Sequence, residues 1–563
     1  MLLTDRQTDR QTGYPSVDKP WLQWYPSDVF NRTIPECSMY EFIKESNKSR
    51  LSYIAINYFD NIITYEQLFH NVEKVASGLI SQGISRGDIV SIVSLNTPET
   101  IYLIYALSHI GAIANLIIAT STREEIIEQV HNTNSKVIFI LDKIIEQIES
   151  EKKIELDIPV VLLSLSQSAK GVNKFILNIS KKSTDYILFN DFVKEQSFIH
   201  ACNDSNAPAI IVYTSGSTGT PKGVVLSNRN LNSVAVMCSL SGKNYKPKEK
   251  FLCILPPFYS FGIGMTHLCF YTGMTEIIQL IPKVKPIIRM LKKHRPERFV
   301  IGPAITDVIE KNPTKDFSYC IDLTGGGGAI TLDKEEKLNS ILVSKKSGSL
   351  YLSGYGMTEL ASAVSMNHND RHKTQSIGLP LSMVNIRIND IENGHELKYN
   401  EEGEILVSSP GLMLEYFKND EATSEAIEII NGERWIHTGD IGRVDPEGYV
   451  FVTGRLKRIY IVTDDSGMAY KLFPQRMEEV IESIEDVKRC AVVVLPDECK
   501  QSTSVVFVQV SGNVLQEKDI DRYIKKALPE YYWPKKIVLL KEIPMNQNQK
   551  IDYKELEKLA HKM

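Results

Sequence analysis

The sequence predicts an α/β protein: a large N-terminal part built on mostly parallel sheets, followed by a small α+β unit at the C-terminus. Three observations carry that expectation. Strand-like and helix-like segments alternate from residue 50 onward, the pattern of parallel strands covered by helices. The stretch "GYVFVTGRLKR" (448–458) reads as a strand ending at Gly454 and running into charges, and behind it lies a compact pattern containing the strands "RCAVVVL" and "TSVVFVQV". At 563 residues the chain is also too long for a single hydrophobic core.

The elements follow in order. Residues 1–18 open on a repeated "TDRQ" with no apolar core of the secretory kind, and a disordered tail is expected there. "TYEQLFHNVEKVASGLISQG" (64–83) spaces its apolar residues for a helix, starts on a threonine cap and stops on glycine. "DIVSIVSLN" (88–96), "KVIFIL" (136–141) and "IPVVLLSL" (158–165) read as strands. Residues 100–122 carry no Asp, Glu, Lys or Arg and are long enough on paper to span a bilayer. His109, Asn115 and the turn signal at Gly111 and Ala112 instead predict a buried helix, a turn and a strand, so no transmembrane segment is expected.

Composition narrows the function classes. A net charge of -5 leaves no basic excess to neutralise nucleic-acid phosphates. The eight cysteines are scattered without C-x-x-C pairs, which fits neither a disulfide framework nor a zinc site and suits a reducing, cytoplasmic setting.

The densest chemical signal is "IIVYTSGSTGTPKGVVLSN" (210–228), a β-branched run that breaks into hydroxyl residues, glycines and one lysine. Hydroxyls and bare glycine N–H groups donate many hydrogen bonds to an anion, and Lys222 adds a compact positive charge. That is the chemistry of a polyphosphate cradle, although Pro221 and Gly223 flank the lysine and G-x-x-x-x-G-K-[ST] is not met. The string resembles the signature loop of the AMP-forming adenylating enzymes: acyl-CoA synthetases, nonribosomal adenylation domains and luciferases. Three further motifs extend the resemblance over residues 19–558: "GYGMTE" (354–359), "RWIHTGDIGRVDPEGYVFVTGR" (434–455) and "IPMNQNQKIDYKEL" (543–556).

The resemblance implies the adenylate-forming fold, with an AMP-binding N-terminal domain over 19–455, a mobile C-terminal domain over 456–563 and a hinge near Lys457. It also implies site roles. Thr214, Ser215, Gly216, Ser217, Thr218, Gly219 and Lys222 would contact the β- and γ-phosphates of ATP. Tyr355 and Gly356 would lie at the adenine, Thr358 would bond the α-phosphate, and Glu359 would ligate Mg²⁺. Asp440 would accept the ribose hydroxyls beside Arg455, and Lys550 would meet the substrate carboxylate and the α-phosphate. Gly327 and Gly328, in "LTGGGGAI" (323–330), match the adenine-side loop, where glycines let a planar ring approach the backbone. Gly467 falls in the loop that lines the pantetheine tunnel in CoA ligases.

This sequence departs from the family pattern at several points. Tyr259, in "LPPFYSFGIG", stands where histidine is common, Arg476 where glutamate is, and Gln549 where glycine is, and the segment before Gly467 is longer by about three residues. The stretch 256–267 carries no acid to pair an α-ammonium, and a buried unpaired ammonium is costly, so an amino-acid substrate is disfavoured. Phe258, Tyr259, Gly262 and Gly328 are candidate pocket residues, and the aromatic and apolar lining, with Phe261 and Met265, suits a hydrophobic tail. The expected activity is activation of a fatty or related carboxylic acid with ATP and Mg²⁺, then transfer to CoA. An acyl carrier protein is the rival acceptor, and a non-catalytic nucleotide-binding regulator is the rival of another class.

Overall fold

The computed structural model describes residues 12–562 apart from 28, 30–31, 150–152, 172, 174–176, 178–185, 194–201, 215–220, 281–282, 303–305, 313–315, 329, 331, 459, 464–468, 496–502, 512–514 and 547–549. Among the described residues, two large sheets dominate the N-terminal part. The eight-stranded sheet runs Glu415–Tyr416, Gly223–Ser227, Pro208–Tyr213, Ile113–Ile117, Ile89–Val93, Val137–Leu141, Val160–Leu163 and Ile187–Leu188 in spatial order. Every pairing from Pro208–Tyr213 to the last strand is parallel. The nine-stranded sheet is parallel through Ile54–Tyr58, Thr275–Ile278, Lys250–Cys253, Arg298–Ile301, Asp322–Gly325 and Tyr351–Met357, and antiparallel at its edges.

Local chemistry accounts for the helices that cover these sheets. Tyr65–Ser81 starts at a capping box in which the Thr64 side chain accepts from the Gln67 N–H and Gln67 reaches back to the Thr64 N–H. Pro98–Ile110 is buried along its whole length and stops at Gly111, whose φ of 76° is the left-handed geometry that glycine tolerates. The strand Ile113–Ile117 follows directly, so the uncharged 100–122 stretch is a core helix, a turn and a strand. No helix among the described residues is long and apolar enough to cross a membrane.

A five-stranded antiparallel sheet follows, running Asn385–Asn389, Gly403–Ser408, Glu433–Val444 and Ile427–Ile430, with Val450–Arg455 pairing Glu433–Val444. After Arg455 a single 3₁₀ turn, Leu456–Arg458, leads into the last part of the chain. There Val487–Leu495 pairs antiparallel with Thr503–Val510, which pairs parallel with Lys536–Leu540. Side chains alternate between the two faces of this sheet. Cys490, Val492 and Val494 pack in one cluster with Met477, Ile481, Ile520 and Ile524. Ala491 and Val493 pack in another with Ile543, Leu556 and Ala560. Helices therefore cover both faces, which is why the strands read as unbroken apolar runs.

One expectation needs correction. Residues 12–18 are ordered: Pro15–Asp18 is a short helix, and Asp18 accepts hydrogen bonds from the Thr12 and Gly13 N–H groups and the Tyr399 hydroxyl. A carboxylate with several donors, one of them 381 residues away, ties the segment to the body, a non-local contact that composition does not reveal. Residues 1–11 lie outside the described residues.

Candidate active site

The candidate site lies at the carboxyl ends of the parallel strands, where open α/β sheets present their ligand crevices. Asp322–Gly325 and Tyr351–Met357 are neighbours, with Gly325 opposite Ser353, so the glycine-rich turn and "GYGMTE" leave the sheet side by side. Gly356 is needed where it stands: a Cβ there would fall 1.5 Å from the Ser362 carbonyl oxygen on the adjoining strand. Gly327 has a φ of 86° and is exposed, as is Gly328. The helix Ser260–Thr272 brings its first turn to the same place. A Cβ on Gly262 would fall 2.1 Å from the Pro256 carbonyl oxygen, and one on Gly326 would come within 3.0 Å of the Phe261 ring. Ser260 Oγ lies 3.4 Å from Thr358 Oγ1.

Tyr259 caps that helix half-exposed, its hydroxyl pushed up to about 12 by burial, and its ring packs edge-on against buried Phe258 at 4.7 Å. It therefore offers the site a neutral ring with a polar tip.

Asp440, with 2% exposure, is the most sheltered carboxylate in the group. Its Oδ2 accepts the Tyr355 hydroxyl at 2.5 Å, and its Oδ1 pairs with Arg455 Nε at 2.5 Å. The register makes this possible, because Asp440 lies directly opposite Arg455 on the paired strands. Burial pushes the carboxyl above its ordinary range, while Arg455, the Tyr355 hydroxyl and Lys550 pull it back.

Glu359 sits on the 3₁₀ turn Thr358–Leu360 and is buried. Burial raises its pKa, opposed by the Tyr416 hydrogen bond, by its own backbone and by the charges of Arg455 and Lys222. Its Oε1 accepts the Tyr416 hydroxyl at 2.8 Å. Lys222 begins the return from the hydroxyl-rich loop. Its Nζ rests 4.7 Å from the centre of the Tyr416 ring, and its carbonyl accepts the Thr214 N–H, closing the loop at its base. Ser215, Gly216, Ser217, Thr218 and Gly219 lie outside the described residues, as does Gly467.

Lys550 comes from the far end of the chain, where its carbonyl accepts the Asn546 N–H and its own N–H donates to Asn546 Oδ1. The side chain is exposed to solvent, yet its ammonium has protein packed against it. That desolvation and the Arg455 charge lower its pKa, while Asp440 and Glu359 favour its charged form. The charges of a sheltered aspartate and a buried glutamate from separate motifs thus act on this lysine. Lys457 lies in the Leu456–Arg458 turn, directly after the strand that carries Arg455.

The residue that the motifs do not reveal is Tyr416. It occupies the two-residue strand Glu415–Tyr416, and "LEYFKND" carries no periodicity or spacing that would single it out.

A model of the AMP-binding enzyme family matches residues 43–417, and one of the AMP-binding enzyme C-terminal domain matches residues 476–550. The chain is 24% identical over 549 residues to a long-chain-fatty-acid–CoA ligase of Bacillus subtilis (strain 168), covering 93% of this chain and 95% of the relative. It is 30% identical over 516 residues to a 2-succinylbenzoate–CoA ligase of Bacillus mycoides (strain KBAB4), covering 90% and 96%. Among solved structures, o-succinylbenzoate CoA synthetase from Bacillus subtilis, in complex with its acyl-adenylate intermediate, superposes with a TM-score of 0.75 at 22% identity, covering 92% of this chain and 97% of that one.

Proposed function

Because the chain belongs to the AMP-binding enzyme family of AMP-forming adenylating enzymes, we propose that it activates a hydrophobic carboxylic acid with ATP and passes the acyl group to the thiol of CoA. The observation that supports this reading is the pairing of buried Asp440 with Arg455 and Tyr355, with the charges of Asp440 and Glu359 favouring the charged form of Lys550. In the first step a carboxylate oxygen attacks the α-phosphorus, the bond to the bridging oxygen breaks, and pyrophosphate leaves. Two anions must approach, and a positioned cation lowers the cost of bringing them together. Lys550 has the charge, and Thr358, next to Glu359 in the chain, offers a hydroxyl donor.

Asp440 holds the ribose, on this reading, by exchanging its Tyr355 and Arg455 partners for the sugar hydroxyls. Tyr355 and Gly356 line the adenine side with Gly327 and Gly328. The phosphate donors are Lys222, Thr214 and the loop between them. In the second step the thiol sulfur attacks the acyl carbonyl, AMP departs and the thiol proton goes to solvent.

Mg²⁺ fits the donor set. Among the described residues no cluster of three or more His, Cys, Asp or Glu could hold a metal ion, and Mg²⁺ commonly takes one or two carboxylates plus substrate phosphates. Glu359 supplies one hard oxygen, and the ion would neutralise phosphate charge. Tyr259, Phe258 and Gly262 border the acid, and the neutral ring of Tyr259 favours an uncharged tail. A rotation about Lys457 would exchange the Lys550 region for the Gly467 loop between the two steps.

The test is a panel of acids in ATP–pyrophosphate exchange, followed by mass detection of the CoA thioester. Lys550→Ala is expected to cut adenylate formation about 10²-fold or more, the scale of one positioned electrostatic group. Exchange within a few-fold of wild type removes Lys550 from the chemistry. Adenylate without CoA thioester, but with thioester on a phosphopantetheinyl carrier protein, makes the carrier the acceptor. Nucleotide binding without exchange for any acid makes the chain a regulator.

A further inference from the structure

We propose that Tyr416 is a positioning residue that locks the phosphate-binding lysine, Lys222, and the metal-binding carboxylate, Glu359, into one unit. The inference rests on the nucleotide chemistry given above and adds a residue to it. Tyr416 is 7% exposed and touches both partners through different parts of its side chain. The hydroxyl donates to Glu359 Oε1 at 2.8 Å, and the ring face lies under Lys222 Nζ at 4.7 Å.

The backbone around it repeats the bridge. Tyr416 pairs with Val224 and Glu415 with Val225, on the strand that leaves the phosphate loop. The Phe417 N–H donates to the Gly223 carbonyl at 2.7 Å and the Leu414 N–H to the Val225 carbonyl at 2.9 Å. Three residues before Tyr416, the Met413 N–H donates to the Glu359 carbonyl at 2.8 Å. The segment 413–417 is therefore stitched to the lysine strand at one end and to the glutamate turn at the other. The Tyr416 N–H is fixed in turn by Thr423 Oγ1 at 2.9 Å.

This arrangement solves a specific problem. An unanchored glutamate turns about its side-chain torsions, and a lone lysine swings on four rotatable bonds. The hydroxyl anchors one glutamate oxygen, while the ring gives the ammonium a seat that carries no competing negative charge. A carboxylate in that seat would bind the lysine too well to release it to phosphate.

Tyr416→Phe keeps the ring and the strand and removes the hydroxyl. The stabilisation of the enzyme by ATP is measured as a thermal shift while Mg²⁺ is titrated, so the readout does not depend on turnover. The variant is expected to need about tenfold more Mg²⁺ for the half-maximal shift, with the shift by ATP in EDTA unchanged, one charge-assisted hydrogen bond being of that scale. Tyr416→Leu is expected to weaken the shift in EDTA as well, because the lysine seat is gone. If the hydroxyl acts through the glutamate, Tyr416→Phe adds little to Glu359→Gln, and the double variant reads as non-additive. Wild-type Mg²⁺ dependence in Tyr416→Phe, or additive effects in the double variant, overturns the proposal. Loss of pyrophosphate exchange in the wild type, with these Mg²⁺ shifts intact, overturns the proposed reaction and leaves the role of Tyr416 standing.

Discussion

Asp440→Asn separates what the carboxylate does for the fold from what it does for a nucleotide. The substitution keeps the shape and removes the charge. Asparagine keeps its carbonyl on the Tyr355 hydroxyl, and Arg455, whose side chain is largely exposed, turns to water, so no buried donor of the fold is stranded. What folding loses is the Arg455 pair and the charge-assisted part of the Tyr355 bond. The Arg455 side chain is 57% exposed, so that pair contributes on the order of 0.2–1 kcal/mol. The bond from Tyr355 drops from a charged to a neutral one, a loss of about 1 kcal/mol. Relief of the desolvation cost of a buried charge offsets part of both. The melting temperature should therefore fall by only a few degrees. A ribose, by contrast, loses a charged acceptor for two hydroxyls at once, about 3 kcal/mol or 10²-fold in ATP affinity. Calorimetric titration with ATP and with 2′-deoxy-ATP measures this directly. Wild type should discriminate between them and Asp440→Asn should discriminate far less. Equal discrimination by the two proteins would show that Asp440 does not read the sugar, and the pair with Tyr355 would then be a lock on the adenine-side turn.

Two further outcomes are expected. Gly356→Ala forces a methyl group to within 1.5 Å of the Ser362 carbonyl oxygen, so Tyr351–Met357 and Ser362–Met366 must part; a fall of several degrees in melting temperature and loss of adenylation should follow, and an unchanged melting curve would refute the close approach. His437 is paired with Glu404 at 2.9 Å and Glu428 at 3.3 Å, which raises its pKa, Glu404 contributing most. Folding therefore binds the proton more tightly, and the stabilisation is present below the ordinary histidine value of about 6.5 and is lost as pH rises through the higher folded value. For this half-buried pair the effect is at most about 1 kcal/mol, so wild type should exceed His437→Gln in melting temperature at pH 6 and converge with it near pH 9, and parallel pH profiles would exclude the pairing.

The parts of this fold that follow from neighbours in sequence were readable as sequence. Thr64 and Gln67 announce a capped helix because the capping box is closed within four residues. Residues 100–122 could be divided at Gly111 because a left-handed turn has a local chemical signature. The motifs around Lys222, Glu359, Asp440 and Lys550 stood out through their resemblance to the AMP-forming adenylating enzymes, the family whose models match residues 43–417 and 476–550; taken singly, Asp440 and Lys550 read as a loop residue and a surface lysine.

What could not be read is whatever depends on which strands lie side by side. Asp440 is sheltered because the hydroxyl of Tyr355, 85 positions earlier on a strand of another sheet, reaches it, and nothing near either residue encodes that pairing. Asp18 looked like part of a tail because its Tyr399 partner is equally remote. Tyr416 is the extreme case. Its position is set by a two-residue strand, too short to leave a periodic trace, and by a backbone bond from Met413 to a turn 54 residues upstream. A side chain whose role is to tie two others into one unit needs no reactive group of its own. Its chemistry resembles that of an ordinary core tyrosine, and the topology alone distinguishes it.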